Sequence, residues 1–101
     1  MASFTDLYNL RNNSELLSRV TVACVIAAEA VRTESDQTAN HANRLAWAAR
    51  VFENPDFEAK RMLWALLAKH NTLTVGQLTG APDADILTAV NGAVNLFATG
   101  A

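Results

Sequence analysis

The hydrophobic residues of this chain recur mainly with the spacing of α-helices, and the stretch Val20–Val31 is apolar on nearly every side. Its only conventionally polar side chains are Thr21 and Glu29. Such a helix needs cover on two faces, because a small soluble domain seldom leaves a broad apolar face in water. One cover is the core of its own domain. The other is a further helix of the same chain or a second copy of the protein, and the pattern leaves both open.

Capping residues and turn formers predict the elements of the first half of the chain. Ser3 is suited to start a short first helix, and Ser14 to cap a long helix from Glu15 to about Arg32. The polar run at 33–40 predicts an exposed loop. That loop is either a plain connector or a contact loop that orders against a partner.

The second half of the chain predicts four more helical segments. A third helix is expected from about His41 to Glu53, and a fourth from about Asp56 to His70, with Asn54–Pro55 as the corner between them. Thr74 and Gln77 have the spacing of a capping box, which predicts a short helical turn ending near Gly80. Pro82 and Asp83 then start a last helix, which Gly100 ends.

The apolar stripes of these helices predict which faces form the core. For the long helix the core face comprises Leu16, Leu17, Val20, Cys24, Ala27 and Val31. For the third helix it comprises Leu45, Ala48, Ala49 and Phe52. For the fourth it comprises Ala59, Leu63, Leu66 and Leu67, widened by Phe57 and Trp64, with Glu58 and Arg61 paired on the exposed side. For the last it comprises Ile86, Leu87, Val90, Val94 and Phe97.

Length and composition agree with this pattern. The chain has 101 residues, half of them hydrophobic, which suits one helical domain over residues 1–101. We therefore expect an all-α fold, a compact bundle of about four main helices plus short N-terminal and connecting helices. Cys24 is the single cysteine and has apolar neighbours, which predicts an inert core thiol.

Charge and apolar run length exclude two broad classes of partner. The formal net charge is −2, so the chain lacks the basic field that drives non-specific nucleic-acid binding. Residues 74–90 imitate a helix-turn-helix, but their second helix starts with Asp83 and Asp85 and contains no Lys or Arg, which disfavours DNA reading. The long apolar segment is too short to span a bilayer, so we expect no membrane partner.

Candidate chemistry is sparse. His41 and His70 lie far apart at helix ends, and neither has a neighbouring cluster with the spacing of metal ligands. Catalysis needs convergent polar groups, and the polar groups of this chain are isolated. The expectation is a protein without catalytic residues, metal or cofactor.

The chain instead predicts a protein that acts through contacts. Glu29, on the second face of the long helix, pairs either with Arg32 or with an arginine of another subunit. The two tryptophans pack in a wide core or anchor an interface, where this residue type is enriched. The candidate interface residues are therefore Val22, Val25, Ile26, Glu29, Trp47 and Trp64.

Four segments carry a resemblance to a known class of proteins. They are Val-Ala-Cys-Val-Ile-Ala-Ala-Glu at 22–29, Asn-His-Ala-Asn-Arg at 40–44, Trp-Ala at 47–48 and Asn-Pro at 54–55. Together with the helix order, they resemble small structural proteins of tailed bacteriophages, and the length is similar to that of head–tail connector, or adaptor, proteins. The chain departs from those connectors in two ways, because its first helix lacks a strongly acidic opening and its last helix is followed by few residues.

The resemblance implies a virion component, assembled in the host cytoplasm, that forms homo-oligomers and docks on the portal or on other head or tail proteins. Two alternatives stay open at this point. A capsid-associated or decoration protein would bind assembled shells, whereas a non-viral helical interaction module would bind neither shells nor portals.

Overall fold

The computed structural model describes residues 4–35, 40–70 and 73–98, and these ranges form a helical bundle. No β-strand occurs in them. The expected all-α fold with four main helices is confirmed. In chain order the elements are α1 (Phe4–Arg11), α2 (Ser14–Arg32), α3 (His41–Glu53), α4 (Pro55–Trp64), a π-helical turn (Ala65–Lys69), α5 (Val75–Gly80) and α6 (Asp83–Ala98).

Helix α2 is the centre of the bundle and contacts α3, α4 and α6. Five of its six predicted core residues are buried, and Leu17 is partly buried against the same cluster. The predicted face of α6 also packs inward, with Ile86, Val90 and Val94 buried and Leu87 and Phe97 partly buried. These two helices therefore follow their hydrophobic stripes.

Local capping sets the starts of α4 and α5. The Asn54 side chain accepts a hydrogen bond from the Phe57 backbone N–H at 3.4 Å, and Pro55 takes the first position of α4. The capping box at α5 is complete, because the Thr74 hydroxyl accepts from Gln77 N–H and the Gln77 side chain accepts from Thr74 N–H. Both predictions are confirmed.

The start of α2 differs by one residue from the prediction. Asn13, not Ser14, is the cap, since its side-chain oxygen accepts from the Leu16 N–H at 3.1 Å. The predicted start at Ser3, the end at Gly100 and residues 36–39 of the predicted loop lie outside the described residues.

The fourth helix does not continue as one α-helix to His70. It changes at Ala65 into the π turn, and the His70 N–H donates to the Ala65 carbonyl five residues back at 2.7 Å. A π turn inserts one residue into the helical repeat. Ala65, Leu66 and Leu67 are all buried, an arc of about 200° in a regular helix and a narrower one in the wider π turn.

Helix α3 is rotated about its axis relative to the prediction. The buried residues are His41, Trp47, Ala48 and Val51, while Leu45 and Phe52 are each 37% exposed and Ala49 is exposed. Of the predicted face only Ala48 is buried, because the residues at 41, 47, 48 and 51 also recur at helical spacing and compete for the core. Burying the large indole of Trp47 removes more apolar surface from water than burying Ala49.

Candidate interaction surfaces

A largely apolar concave surface lies between α2 and α6. We call it the α2–α6 groove, a space of about 340 Å³. It is lined by Ser18, Arg19, Val22, Ala23, Ile26, Asp83, Ala84 and Leu87. Within it Val22 is 58% exposed and Ile26 is 48% exposed. Two of the candidate interface residues are therefore brought together in one open groove.

An ion pair connects α2 and α6 at one end of this groove. An Arg19 nitrogen lies 2.8 Å from an Asp83 carboxylate oxygen, and Arg19 Nη2 also donates to the Ala81 carbonyl at 2.6 Å. Asp83 stands in the first turn of α6, where a carboxylate is favoured by the helix dipole. The contact ties the start of α6 to the middle of α2.

The other two α2 candidates lie in different surroundings. Val25 is partly buried and packs against the core, so it belongs mainly to the fold. Glu29 is one helical turn beyond Ile26, and its carboxylate lies 3.8 Å from a guanidinium nitrogen of Arg32. Both of these charged side chains are 57% exposed. The sequence left two partners for Glu29 open, and the structure shows the pairing with Arg32 of the same helix.

A second open surface runs along α4. Phe57 is 56% exposed and Trp64 is 53% exposed, and they stand seven residues apart, so they share one side of the helix. We call this surface the aromatic–basic face. The groove beside it, about 390 Å³, is lined by Phe57, Lys60, Arg61, Trp64, Ala65, Lys69 and Phe97. Lys60 and Lys69 form no ion pair with any described residue. The predicted burial of Phe57 and Trp64 in a widened core is wrong.

The two tryptophans thus have opposite environments. Trp47 is 2% exposed and sits in the core, so it is not available as an interface anchor. Its indole N–H has no hydrogen-bond partner among the described residues. Trp64, by contrast, is half exposed with charged neighbours. Of the two tryptophans, only Trp64 remains a candidate interface residue.

Glu58 and Arg61 do pair, but not on an exposed side of α4. Glu58 is 3% exposed, and its carboxylate accepts from Arg61 at 3.1 Å and lies 3.4 Å from Arg50 of α3. A buried carboxylate requires such partners, since an unpaired charge inside a protein is costly. The prediction of a solvated pair is wrong, because the partner from α3 was not visible in the spacing along α4.

A further polar cluster has a structural role, because it connects two helices. The Glu34 carboxylate accepts from Arg44 at 2.6 Å and lies 3.1 Å from Nδ1 of His41. The hydrogen bond from Arg44, and after it the one from His41, keeps the pKa of Glu34 below its usual value. These contacts join the end of α2 to the start of α3.

The two other groups with potential reactivity are enclosed. Burial, and the nearby charge of Glu58, raise the pKa of the Cys24 thiol to about 12, so the thiol stays protonated at neutral pH. The ring of His70 meets that of Phe97 edge to face at 5.6 Å, and its Nε2 has no partner in the described part of the chain.

Metal-binding and membrane-spanning features are also lacking in the described ranges. No three His, Cys, Asp or Glu residues within them come together as metal ligands. None of their helices has the length and apolar character required to cross a bilayer.

No protein family, curated protein or solved structure matches this chain. The candidate interaction sites are therefore the two open surfaces, the α2–α6 groove and the aromatic–basic face. Sequence reasoning found Val22, Ile26 and Trp64 but missed the grouping of Phe57, Lys60 and Lys69 around Trp64. This grouping could have been recognised from the sequence, because Phe57 and Trp64 stand seven residues apart with Lys60 and Arg61 between them.

Proposed function

We propose that this protein is a non-enzymatic structural component of a tailed-phage virion, a head–tail connector that self-associates and docks on the portal. In this proposal it is assembled in the host cytoplasm and works through protein–protein contact, without a cofactor.

One observation carries the proposal. Val22, Ile26, Phe57 and Trp64 lie outside the core cluster of the described residues, and each of these large apolar side chains is about half exposed. Exposed apolar side chains grouped on a surface are typical of interaction sites, whereas scattered ones need no explanation. Here they form two groups, one in the α2–α6 groove and one on the aromatic–basic face.

The resemblance found in the sequence supports the same assignment. Its longest segment, residues 22–29, contributes Val22, Ile26 and Glu29 to the open side of α2. Two differently lined grooves suit a ring component, because each subunit of a cyclic assembly touches its two neighbours through different patches.

Portal binding tests the proposal directly. The purified chain is mixed with portal rings assembled from the portal protein of the same phage genome, and the native mass is followed by light scattering over a concentration series. The expected result is a portal-bound species with a fixed number of copies. Assembled capsid shells without portal serve as the control.

Two outcomes would contradict the connector assignment. Binding to shells but not to portals would identify a decoration protein. Binding to neither would leave a helical interaction module of another system.

A further inference from the structure

The basic residues of this chain are unevenly distributed, and three of them line one groove. Lys60, Arg61 and Lys69 line the groove of the aromatic–basic face, whose lining includes no carboxylate among the described residues. Lys60 and Lys69 are the only lysines of the sequence. The formal net charge of the whole chain is −2, so this groove is a basic site on an acidic protein. Its charge favours an anionic ligand.

Two carboxylates lie near these cations without neutralising them. Glu58 is buried, and one of its carboxylate oxygens lies 3.1 Å from a nitrogen of Arg61 and 3.4 Å from a nitrogen of Arg50. Two guanidinium groups on one carboxylate leave one positive charge, and both arginines are about half exposed. Asp56 shares the groove between α2 and α4 with Lys60, but no ion pair joins these two residues. The cations of the face therefore remain in excess.

Rings and cations alternate along the exposed side of α4. Lys60 and Arg61 follow Phe57 by three and four residues, and Trp64 follows Arg61 by three. Residues three, four and seven apart lie on one side of a helix, and all four of these residues are exposed. The two aromatic residues are separated by about 10 Å along the helix axis. A ring, two cations and a second ring thus form one continuous stripe.

We infer that the aromatic–basic face binds single-stranded nucleic acid, with bases stacked on Phe57 and Trp64 and phosphates held by the cations between them. A nucleic-acid strand carries a planar ring beside every anionic group, so it matches both features of the stripe. An acidic protein segment would match the cations but has no regular planar groups for the two rings. A duplex keeps the faces of its bases within the stack, which favours the single strand.

This inference goes beyond the proposed function and does not depend on it. The net charge of the chain gives no long-range attraction for a polyanion, so binding depends on contacts within the groove. Contacts from three cations to three phosphates predict that the logarithm of the binding constant falls with the logarithm of the salt concentration with a slope of about −2. A protein partner on the same face would compete with the strand, so the test uses the unassembled chain.

Fluorescence anisotropy of a labelled oligothymidylate of about 20 nucleotides, longer than the site of one small domain, measures the binding. The wild-type chain should bind at low salt with the predicted slope. Trp64→Leu keeps an apolar side chain but removes the ring, and it should weaken binding roughly 10-fold, as expected for loss of one stacked base. Trp64→Phe keeps a ring and should bind nearly as well as the wild type.

Charge variants test the phosphate contacts. Lys60→Ala should make the salt slope shallower by about 0.7, the effect of one lost phosphate contact with a single strand. Arg32→Ala is the matched control, because it removes the same charge from the chain but lies outside the lining of the groove, and the slope should not change. Far-UV circular dichroism and urea midpoints check folding. If Trp64→Leu is unfolded, Phe57→Leu replaces it, since Phe57 is also about half exposed.

Three results would overturn the inference. The first is a wild-type chain that does not bind the oligothymidylate at low salt. The second is binding that Trp64→Leu leaves unchanged and that poly-L-glutamate abolishes at equal charge concentration, which would indicate a surface for acidic protein segments. The third is an equal change of slope in Lys60→Ala and Arg32→Ala, which would assign the attraction to overall charge. Portal binding has its own experiment and is unaffected by these outcomes.

Discussion

Glu58 illustrates, at the scale of a single residue, how a partner from another helix changes what a side chain does. Its neighbour along α4, Arg61, was visible in the sequence, but Arg50 reaches it from α3. With two guanidinium groups beside it, the carboxylate stays in a buried position at 3% exposure. It also influences the core, since its charge contributes to the raised pKa of Cys24.

Removal of this charge should cost stability. Glu58→Gln leaves Arg50 and Arg61 without their shared anion, and we expect the free energy of unfolding to fall by about 2 kcal/mol. This expected loss of stability is smaller than for a fully buried ion pair, because both arginines are about half exposed. Urea denaturation at neutral pH measures the change.

Glu53→Gln is the matched control for this substitution. Glu53 is an exposed carboxylate at the end of α3 and forms no ion pair with a described residue. Its replacement should change the unfolding free energy by less than about 0.5 kcal/mol. Equal losses for the two variants would show that Glu58 is no more than a surface charge.

At the scale of the element, α6 is a helix whose sequence pattern and structure agree. Asp85, Thr88, Asn91 and Asn95 are exposed, and the predicted core face on the opposite side packs inward. Gly92 interrupts the exposed side of this helix. A Cβ built at this position meets no atom within 4 Å, so nothing in the surrounding structure requires a glycine there.

Gly92→Ala should therefore stabilise the protein. Alanine has a higher helix propensity than glycine, largely because it has less backbone freedom to lose on folding, and the gain in a helix interior is about 1 kcal/mol. Thermal and urea unfolding should both shift toward greater stability. Gly80→Ala, at the last residue of α5, is the control and should gain less because it lies at a helix end. A loss of stability in Gly92→Ala would contradict the open surroundings of this residue.

Helix boundaries were more predictable than helix faces. Asn54–Pro55 and the Thr74–Gln77 capping box act over three or four residues, so local sequence is enough to place them. The face of α3 depends on what α2 and α6 offer it, and two sets of residues at helical spacing competed for the core. The π turn after Trp64 was also not predicted, because nothing in residues 65–69 distinguishes it from a regular helix.

At the scale of the whole molecule, the second apolar side of α2 is divided between fold and surface. Val25 packs against the core, whereas Val22 and Ile26 remain open in the α2–α6 groove. The three residues appeared equivalent in sequence because they share one side of the helix. Only the tertiary packing separates them.

This division predicts different stabilities for two aspartate variants. Val25→Asp brings a charge into contact with the core and should lower the free energy of unfolding by about 2 kcal/mol or more. Val22→Asp should change it by less than about 0.5 kcal/mol, because Val22 is 58% exposed. Urea denaturation of dilute samples measures both values without a contribution from self-association. Similar losses for the two variants would mean that Val22 also belongs to the core.

The sequence by itself determined the all-α class, most helix boundaries and the core faces of α2 and α6, because periodicity and capping are local properties of the chain. Only the tertiary structure decided that Trp47 is buried and Trp64 open, that Glu58 is enclosed by two arginines, and that the aromatic–basic face exists. The physical reason is that burial depends on which helices meet. A helix with apolar residues on several sides can be rotated about its axis to bury any of several faces. The face that is buried is the one that the neighbouring helices cover best.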